Sequence, residues 1–481
     1  MFLFSFFETS SQAQPSTARP PSLHSSLIVF AMLCLSELRT LIPKRSRAIV
    51  RFSTLAPRKL KIISLDWTRP KDPPLSLGHA SIVANLKAHQ IDVSERSWSV
   101  NSREFRTEEV LDFIFSSVEC ETDVAFGAFV WNENHLQQIL QRMKAKKFPG
   151  RVILGGPQIS YVKSDIERYY PDADIFIRGY AEDALVKLLL SPDRFPSIRG
   201  IHYANQPSLN LSALSDLTQL PSPFLTGILP KQKFLRWETQ RGCPFRCSFC
   251  QHRESDLTQK RRAFPRGRLQ EEIEWLTTDN IVQDLAVLDP TFNSGDQYLE
   301  VLEQLARYRY RGKLALQCRI EMVKPEFLDL VEEINQTGRV VLEFGLQTIH
   351  KVEQQIIQRP NNLRKVTAVL EDLHKRNIES EISLIFGLPG QTLQSFKESV
   401  SFCQDVLGIP TIHAFPLMLL RGTPLHEQKQ QLQLVESSDV SFDQIPRIQQ
   451  AIPHVISSPS FSYQDWLQMG EIAEGLQSRN R

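Results

Sequence analysis

Three cysteines stand together in the segment Trp237-Glu-Thr-Gln-Arg-Gly-Cys243-Pro-Phe-Arg-Cys247-Ser-Phe-Cys250. Their spacing is Cys-x3-Cys-x2-Cys, and they are three of only seven cysteines in 481 residues. Seven is too few for a disulfide framework in a chain this long, and an odd number cannot all pair. Clustered thiols of this kind point to metal ligation in a reducing compartment. Three thiolates on one loop suit three irons of a [4Fe–4S] cluster and leave the fourth iron open to a small ligand. A structural zinc site would need a fourth ligand, and His252 is the nearest candidate. The spacing is not finger-like and no second Cys or His pair follows. A second feature is Gly155-Gly156-Pro157, where missing side chains let the backbone approach a ligand.

The elements around these residues alternate. Strands are expected at 59–67, 122–131, 151–154 and 173–178, with helices at 77–89, 133–146 and from 179 through 190. Strands separated by such helices pair in parallel, so residues 58–195 read as an open α/β sheet. Ligands of such sheets sit beyond the carboxyl ends of the strands, where Gly155 and Gly156 fall. Residues 196–232 are Pro-rich and read as a short β-rich tail and a linker. Strands at 234–239, 285–288, 314–318, 340–346, 381–386 and 412–417 then alternate with helices at 269–277, 298–308, 325–336, 363–376 and 393–407. Six β/α units over 233–426 fit a partial (β/α)6 TIM-type barrel, with its chemistry at the carboxyl ends of the strands. Residues 427–481 read as a tail with one helix near 463–476. The fold class is α/β throughout.

The cysteine loop, ETQRGCPFRCSFCQ, resembles that of the radical S-adenosylmethionine (SAM) superfamily. Later segments agree in order: Glu343-Phe-Gly-Leu-Gln347-Thr348 resembles the family's fourth-strand Gly-Ile/Leu-Gln-Ser/Thr. Gly387-Leu-Pro-Gly390-Gln391-Thr392 resembles its fifth-strand Gly-Leu-Pro-Gly-Glu-Thr, with Gln in place of the commoner Glu. The resemblance implies that Cys243, Cys247 and Cys250 ligate a [4Fe–4S] cluster whose unique iron is chelated by SAM. It places Phe249 near the adenine and Gly387 in the fifth-strand motif at the cofactor. The family's Gly-Gly-Glu is absent after the second strand, and Asp289 stands there as an acceptor for the SAM ammonium. Strand alternation puts Glu343, Gly345 and Gln347 on one face. A buried Glu needs a partner, and the SAM ribose hydroxyls would serve. Arg319 and Glu321 also share a direction and either face the barrel mouth or pair at its rim.

Two segments of the first sheet resemble the cobalamin-binding subgroup of that superfamily. They are the run ending in Trp131-Asn132 and the turn Gly155-Gly156-Pro157, with Glu182 matching the last Glu of the subgroup's Gly-Glu-Gly-Glu. The Asp-x-His-x-x-Gly motif of many cobalamin domains is missing from the first loop, and His79 lies too late to replace its His as a cobalt ligand.

The resemblance therefore implies cobalamin-dependent radical methylation of an unactivated carbon. The substrate would be a small molecule or peptide, and a one-electron reductant such as flavodoxin or ferredoxin would feed the cluster. Radical rearrangement or cyclisation, transfer-RNA methylthiolation and a non-catalytic iron–sulfur or cobalamin sensor are the alternatives. Lys and Arg number 56 against 54 Asp and Glu, a balance that argues against coating nucleic acid by bulk charge.

Residues 1–57 read as a leader outside the folded body. The apolar run at 26–36 is too short to cross a bilayer, which takes ~20 residues, and no membrane span is expected elsewhere. A cytoplasmic location follows, or an organelle if the Arg-rich leader is a transit peptide.

Overall fold

The computed structural model describes residues 58–118, 121–207, 211–252, 261–437 and 452–478. The leader with its apolar run, Cys34, Cys120 and part of the 427–481 tail lie outside the described residues.

The first sheet holds β1 (Lys59–Asp66), β2 (Val93–Ser99), β3 (Thr122–Gly127), β4 (Val152–Gly155), β5 (Ile175–Ile177) and β6 (Ile201–Tyr203). Their order is β2-β1-β3-β4-β5-β6. All neighbours are parallel except β5 and β6. Both faces are covered. Ile63, Val124 and Leu154 pack with Val110, Leu136 and Ile139 on one side. Leu60, Ile62, Ala125 and Ile153 pack with Val83, Leu86, Leu185 and Leu188 on the other. Apolar runs without alternation are what a doubly covered parallel sheet requires.

Three expectations change here. The expected strand at 122–131 ends at Gly127, because the chain turns through 128–132 into the helix Glu133–Ala145. β2 and the helix Thr107–Phe115 form an additional unit at the sheet edge. In residues 196–232 the expected β-tail is β6, which extends the first sheet, but the stretch read as a linker is packed, with Leu217, Leu220, Phe224 and Leu229 buried in the core of the second.

The second sheet begins with β7 (Phe234–Trp237), followed by a ribbon of β8 (Gln240–Arg241) and β9 (Arg262–Ala263). It continues with β10 (Asp284–Val287), β11 (Lys313–Cys318), β12 (Arg339–Gln347), β13 (Glu379–Phe386) and β14 (Thr411–Pro416). The order is β7-β10-β11-β12-β13-β14, all parallel. Burial alternates along β13, since one face alone meets the helices. Leu316, Leu342, Phe344, Ile382 and Leu384 lie on that apolar face.

The tail is not helical alone. A ribbon of β15 (Val435–Ser437) and β16 (His454–Ser457) precedes the helix Tyr463–Ser478, whose Trp466 and Met469 join the second core. No helix among the described residues is long and apolar enough to cross a membrane.

Candidate functional site

The cysteine loop leaves the end of β7 on a platform of buried polar groups. Asp289 is fully buried and accepts hydrogen bonds from the Thr239 amide at 2.8 Å, the Gln240 amide at 3.2 Å and the Thr239 hydroxyl. Burial raises its pKa to about 7, against the pull of the Thr239 bonds. Asp289 was expected to face a SAM ammonium. Its oxygens instead clamp β7 to β10. Asn293 does the same for the next strand, bonding both the amide and the carbonyl of Arg319 at 2.8 Å.

The loop is also anchored at its middle. The Ser248 amide donates to the Ile357 carbonyl at 2.8 Å, and the Leu425 amide donates to the Ser248 carbonyl at 3.0 Å. Cys247 and Phe249 are buried, and Cys243 and Cys250 are partly exposed. The Cys243 sulfur is 3.7 Å from the Thr291 hydroxyl, and the His252 amide donates to the Cys250 sulfur at 3.4 Å. Burial raises the Cys243 thiol, and pushes the Cys250 thiol up to about 12; the neighbouring Cys247 adds to both. Coordination to a metal reverses such a penalty, because a ligating thiol is deprotonated outright. Among the described residues no three His, Cys, Asp or Glu side chains converge on one ion. That does not favour the closed zinc alternative. A [4Fe–4S] cluster gives each thiolate its own iron, so its ligands need not converge on a point.

Sequence reasoning missed Arg359, which lies between two helices in a loop with no local signal. Its guanidinium is buried, donates to the Cys247 sulfur at 3.7 Å, and donates to the Gly345 carbonyl. Arg319 approaches the same loop, with its guanidinium 4.7 Å from the centre of the Phe245 ring. It pairs with Glu321 at 2.7 Å, so these two residues form the rim pair.

The strand motifs of the second sheet are placed differently from one another. Glu343 lies on its polar face, in register with Gln317 and Glu381. Burial, helped by repulsion from Glu381, raises its pKa to about 8. Its surroundings are thus protein groups, and Glu381 in turn meets His413 at 3.2 Å. Gln347 sits past a bulge after Gly345, in register with Leu384, so simple alternation stops at Gly345. It is buried with φ of 68°, a left-handed conformation costly for Gln. Bulges at such positions re-aim a side chain. Gly387 is explained by packing: it has φ of 81°, and a Cβ there would stand 3.1 Å from the Val455 carbonyl and 3.4 Å from the Trp466 ring. On that side its neighbours are the C-terminal segment.

In the first sheet the order 2-1-3-4-5 puts the topological switch point between β1 and β3, the place where ligands of such sheets bind. Asn132 ties the two strand ends together, donating to the carbonyls of Leu65 at 3.0 Å and Gly127 at 2.9 Å. Trp131 donates to the Leu65 carbonyl at 3.3 Å and stacks on Phe129 with ring centres 4.4 Å apart. The two glycines differ. Gly156 has φ of 93°, and a Cβ there would meet the Ala128 carbonyl at 2.8 Å, so the backbone demands it. At Gly155 a Cβ would make only an ordinary contact, with the Ile177 carbonyl at 3.8 Å, so the backbone does not demand glycine there. The loop after β1 turns to the second sheet, with Lys71 on Asp284 at 2.9 Å and Asp72 on Arg236 at 2.7 Å. His79 follows in the helix Leu77–Ala88, buried and pushed down to about 4 by that burial.

The two rims meet. Gln251, beside Cys250, donates to the Arg421 carbonyl at 2.9 Å, and Arg421 pairs with Glu133, two residues past Trp131, at 2.8 Å. Arg241 is buried between Glu182 at 2.8 Å and Glu238 at 2.9 Å, tying the approach to Cys243 to the helix Ala181–Leu190.

Residues 237–403 match the family model of the radical SAM superfamily. They form a radical SAM domain. The chain is 27% identical over 328 residues to a 2-(S-pantetheinyl)-carbapenam-3-carboxylate methyltransferase of Streptantibioticus cattleyicolor, covering 63% of this chain and 48% of the relative. It is 27% identical over 335 residues to the cobalamin-dependent radical SAM methyltransferase TokK of Streptomyces tokunonensis, covering 64% and 48%. The chain spans about half the length of these curated relatives. Among solved structures, the radical SAM methyltransferase TsrM of Kitasatospora setae, with cobalamin and a [4Fe–4S] cluster bound, superposes with a TM-score of 0.62. That match covers 79% of this chain and 76% of TsrM at 16% identity, and it shows a shared fold around the radical SAM domain.

Proposed function

We propose that this chain is a cobalamin-dependent radical SAM enzyme that methylates an unactivated carbon of a small molecule. In this reading residues 58–195 are a cobalamin-binding domain of Rossmann type and 233–426 a partial (β/α)6 barrel. The observation that carries it is the meeting of the two rims. The cysteine loop and the β1/β3 switch point lie on segments joined through Gln251, Arg421 and Glu133.

Cys243, Cys247 and Cys250 would hold the [4Fe–4S] cluster, with Phe249 and Gln347 beside the bound SAM. Trp131 and the space over Gly155 would receive cobalamin. When bound, these groups supply a carbon-centred radical from SAM and a transferable methyl group. The residues of the chain supply position and environment. Asp289 and Asn293 fix the strand ends from which the loop departs. Phe249 and Cys247 are buried in the second core, and exclusion of water protects reactive species. Gln317, Glu343, Glu381, Ser383 and His413 share the polar face of the second sheet and offer hydrogen bonds to a polar substrate. Glu343 fits this role better than contact with a SAM ribose, because its neighbours lie in mid-strand. An external one-electron donor completes the reaction.

The test is anaerobic reconstitution with iron, sulfide and cobalamin, then dithionite and methyl-labelled SAM. The expected result is about four irons per chain, one cobalamin and release of 5′-deoxyadenosine. Cys243→Ala, Cys247→Ala and Cys250→Ala should lose the iron, and Cys318→Ala and Cys403→Ala should keep it. Iron-loaded protein that never cleaves SAM would overturn the enzyme reading. SAM cleavage without cobalamin uptake would leave rearrangement or cyclisation as the better reading.

A further inference from the structure

We infer that Arg359 is a positioning residue for electron transfer: its guanidinium, hydrogen-bonded to the Cys247 sulfur, sets the reduction potential of the cluster. The inference rests on the reading of Cys247 as a cluster ligand. Arg359 is held in place by its second contact, to the carbonyl of Gly345 at the bulge of β12. Nη1 reaches Cys247 at 3.7 Å, within hydrogen-bond range for sulfur. Its Nε is buried and finds no hydrogen-bond partner among the described residues. A cation buried in this way, with no carboxylate bonded to it among the described residues, leaves its charge directed at the cysteine loop.

The physical consequence has a sign. Reduction adds one electron, delivered by an external one-electron donor, and makes the cluster one unit more negative with no bond broken. Hydrogen bonds to the sulfurs and nearby charge are among the terms that set such potentials. A fixed positive donor favours the more negative state and raises the potential. A charge-assisted hydrogen bond is stronger than a neutral one, so loss of both bond and charge should exceed loss of charge alone. Arg319 lies over Phe245 and is paired with Glu321, so its charge is already balanced.

The experiment is potentiometric titration of the reconstituted protein, read by electron paramagnetic resonance of the reduced cluster, with iron content measured in parallel. Arg359→Met should keep its iron and need a more negative potential. About tenfold less reduced cluster at a fixed donor potential is expected, or ~59 mV for a one-electron couple. Arg359→Lys, which keeps the charge, should recover part of the shift. If Arg359→Met fails to load iron, Arg359→Gln and Arg359→Lys decide the matter by the same titration. Iron-loaded variants with the wild-type midpoint would overturn the inference and leave the cluster assignment standing. Wild-type protein that takes up no iron would overturn that assignment, and the inference with it.

Discussion

The two sheets bury their residues by different rules. Along β1 the residues from Leu60 to Asp66 are all buried, because helices cover both faces. Along β13 buried and partly exposed residues alternate strictly, because helices cover one face and polar groups line the other. The difference bears on ligands. A sheet covered on both faces can receive one only beyond its strand ends. A sheet with a polar inner face can also receive one against the strands themselves. The first sheet therefore offers a rim, at Trp131 and Gly155. The second offers a rim and, beneath it, a polar surface.

The largest effect that would break this comparison is a pair of adjacent substitutions in each sheet. Ile62 and Ile63 are neighbours that face opposite cores. Ile62→Ala and Ile63→Ala should each cost about 2–5 kcal/mol, the usual range for emptying a core position. In β12 the neighbours are Leu342, in the core, and Glu343, on the polar face. Leu342→Ala should cost about 2–5 kcal/mol, and Glu343→Gln should cost nothing at pH 7. Urea denaturation of the four variants checks this. Equal losses at Leu342 and Glu343 would mean the inner face is core.

The alternation in β13 is visible in its residues, Glu-Ser-Glu-Ile-Ser-Leu-Ile-Phe, and the unbroken apolar run of β1 is equally plain. Local period carries that information, so the order of elements and the cysteine loop were legible in the sequence. What was not legible depends on partners distant in the chain. β2 reads Val-Ser-Glu-Arg-Ser-Trp-Ser, a polar edge strand whose pairing with β1 nothing local announces. The bulge before Gln347 breaks a period that the residues themselves continue. Arg359 meets Cys247 across 112 positions. Asp289 had the right residue type for a ligand contact, and only the structure shows Thr239 and Gln240 already on its oxygens.

A second, smaller effect sharpens the description of the first rim. Gly156→Ala should destabilise by about 1–3 kcal/mol, the range for a residue forced into a sparsely populated backbone region. Gly155→Leu should leave the melting temperature close to wild type, because its Cβ meets no backbone atom nearer than 3.8 Å. It should nevertheless reduce cobalamin uptake about tenfold, equivalent to ~1.4 kcal/mol, by filling the space over the strand end. Thermal melts and equilibrium dialysis separate the two glycines. Full cobalamin binding by a well-folded Gly155→Leu protein would move the site away from β4.

The last effect lies on the polar face of the second sheet, in the dependence of stability on pH. Burial and the charge of Glu381 raise the Glu343 carboxyl from its ordinary value of 4.5 to about 8, with Lys313, Gln317 and Arg69 acting the other way. Glu381 itself is held below its ordinary value because the opposing effect of burial is outweighed by His413, Lys313 and Arg339. Between pH 4.5 and 8 the folded protein retains a proton on Glu343 that the unfolded chain has released. The folded state then binds more protons, so stability falls as pH rises through this window. Below it both states are protonated and Glu343 contributes no slope. Glu343→Gln keeps the shape of the protonated side chain and removes the titration. Its stability relative to wild type should therefore rise steadily from pH 5 to pH 8 in a series of urea melts. A wild-type slope unchanged by the substitution would place Glu343 in contact with water or with a cation that holds it ionised, and the polar face would then be wetter than the comparison of the two sheets implies.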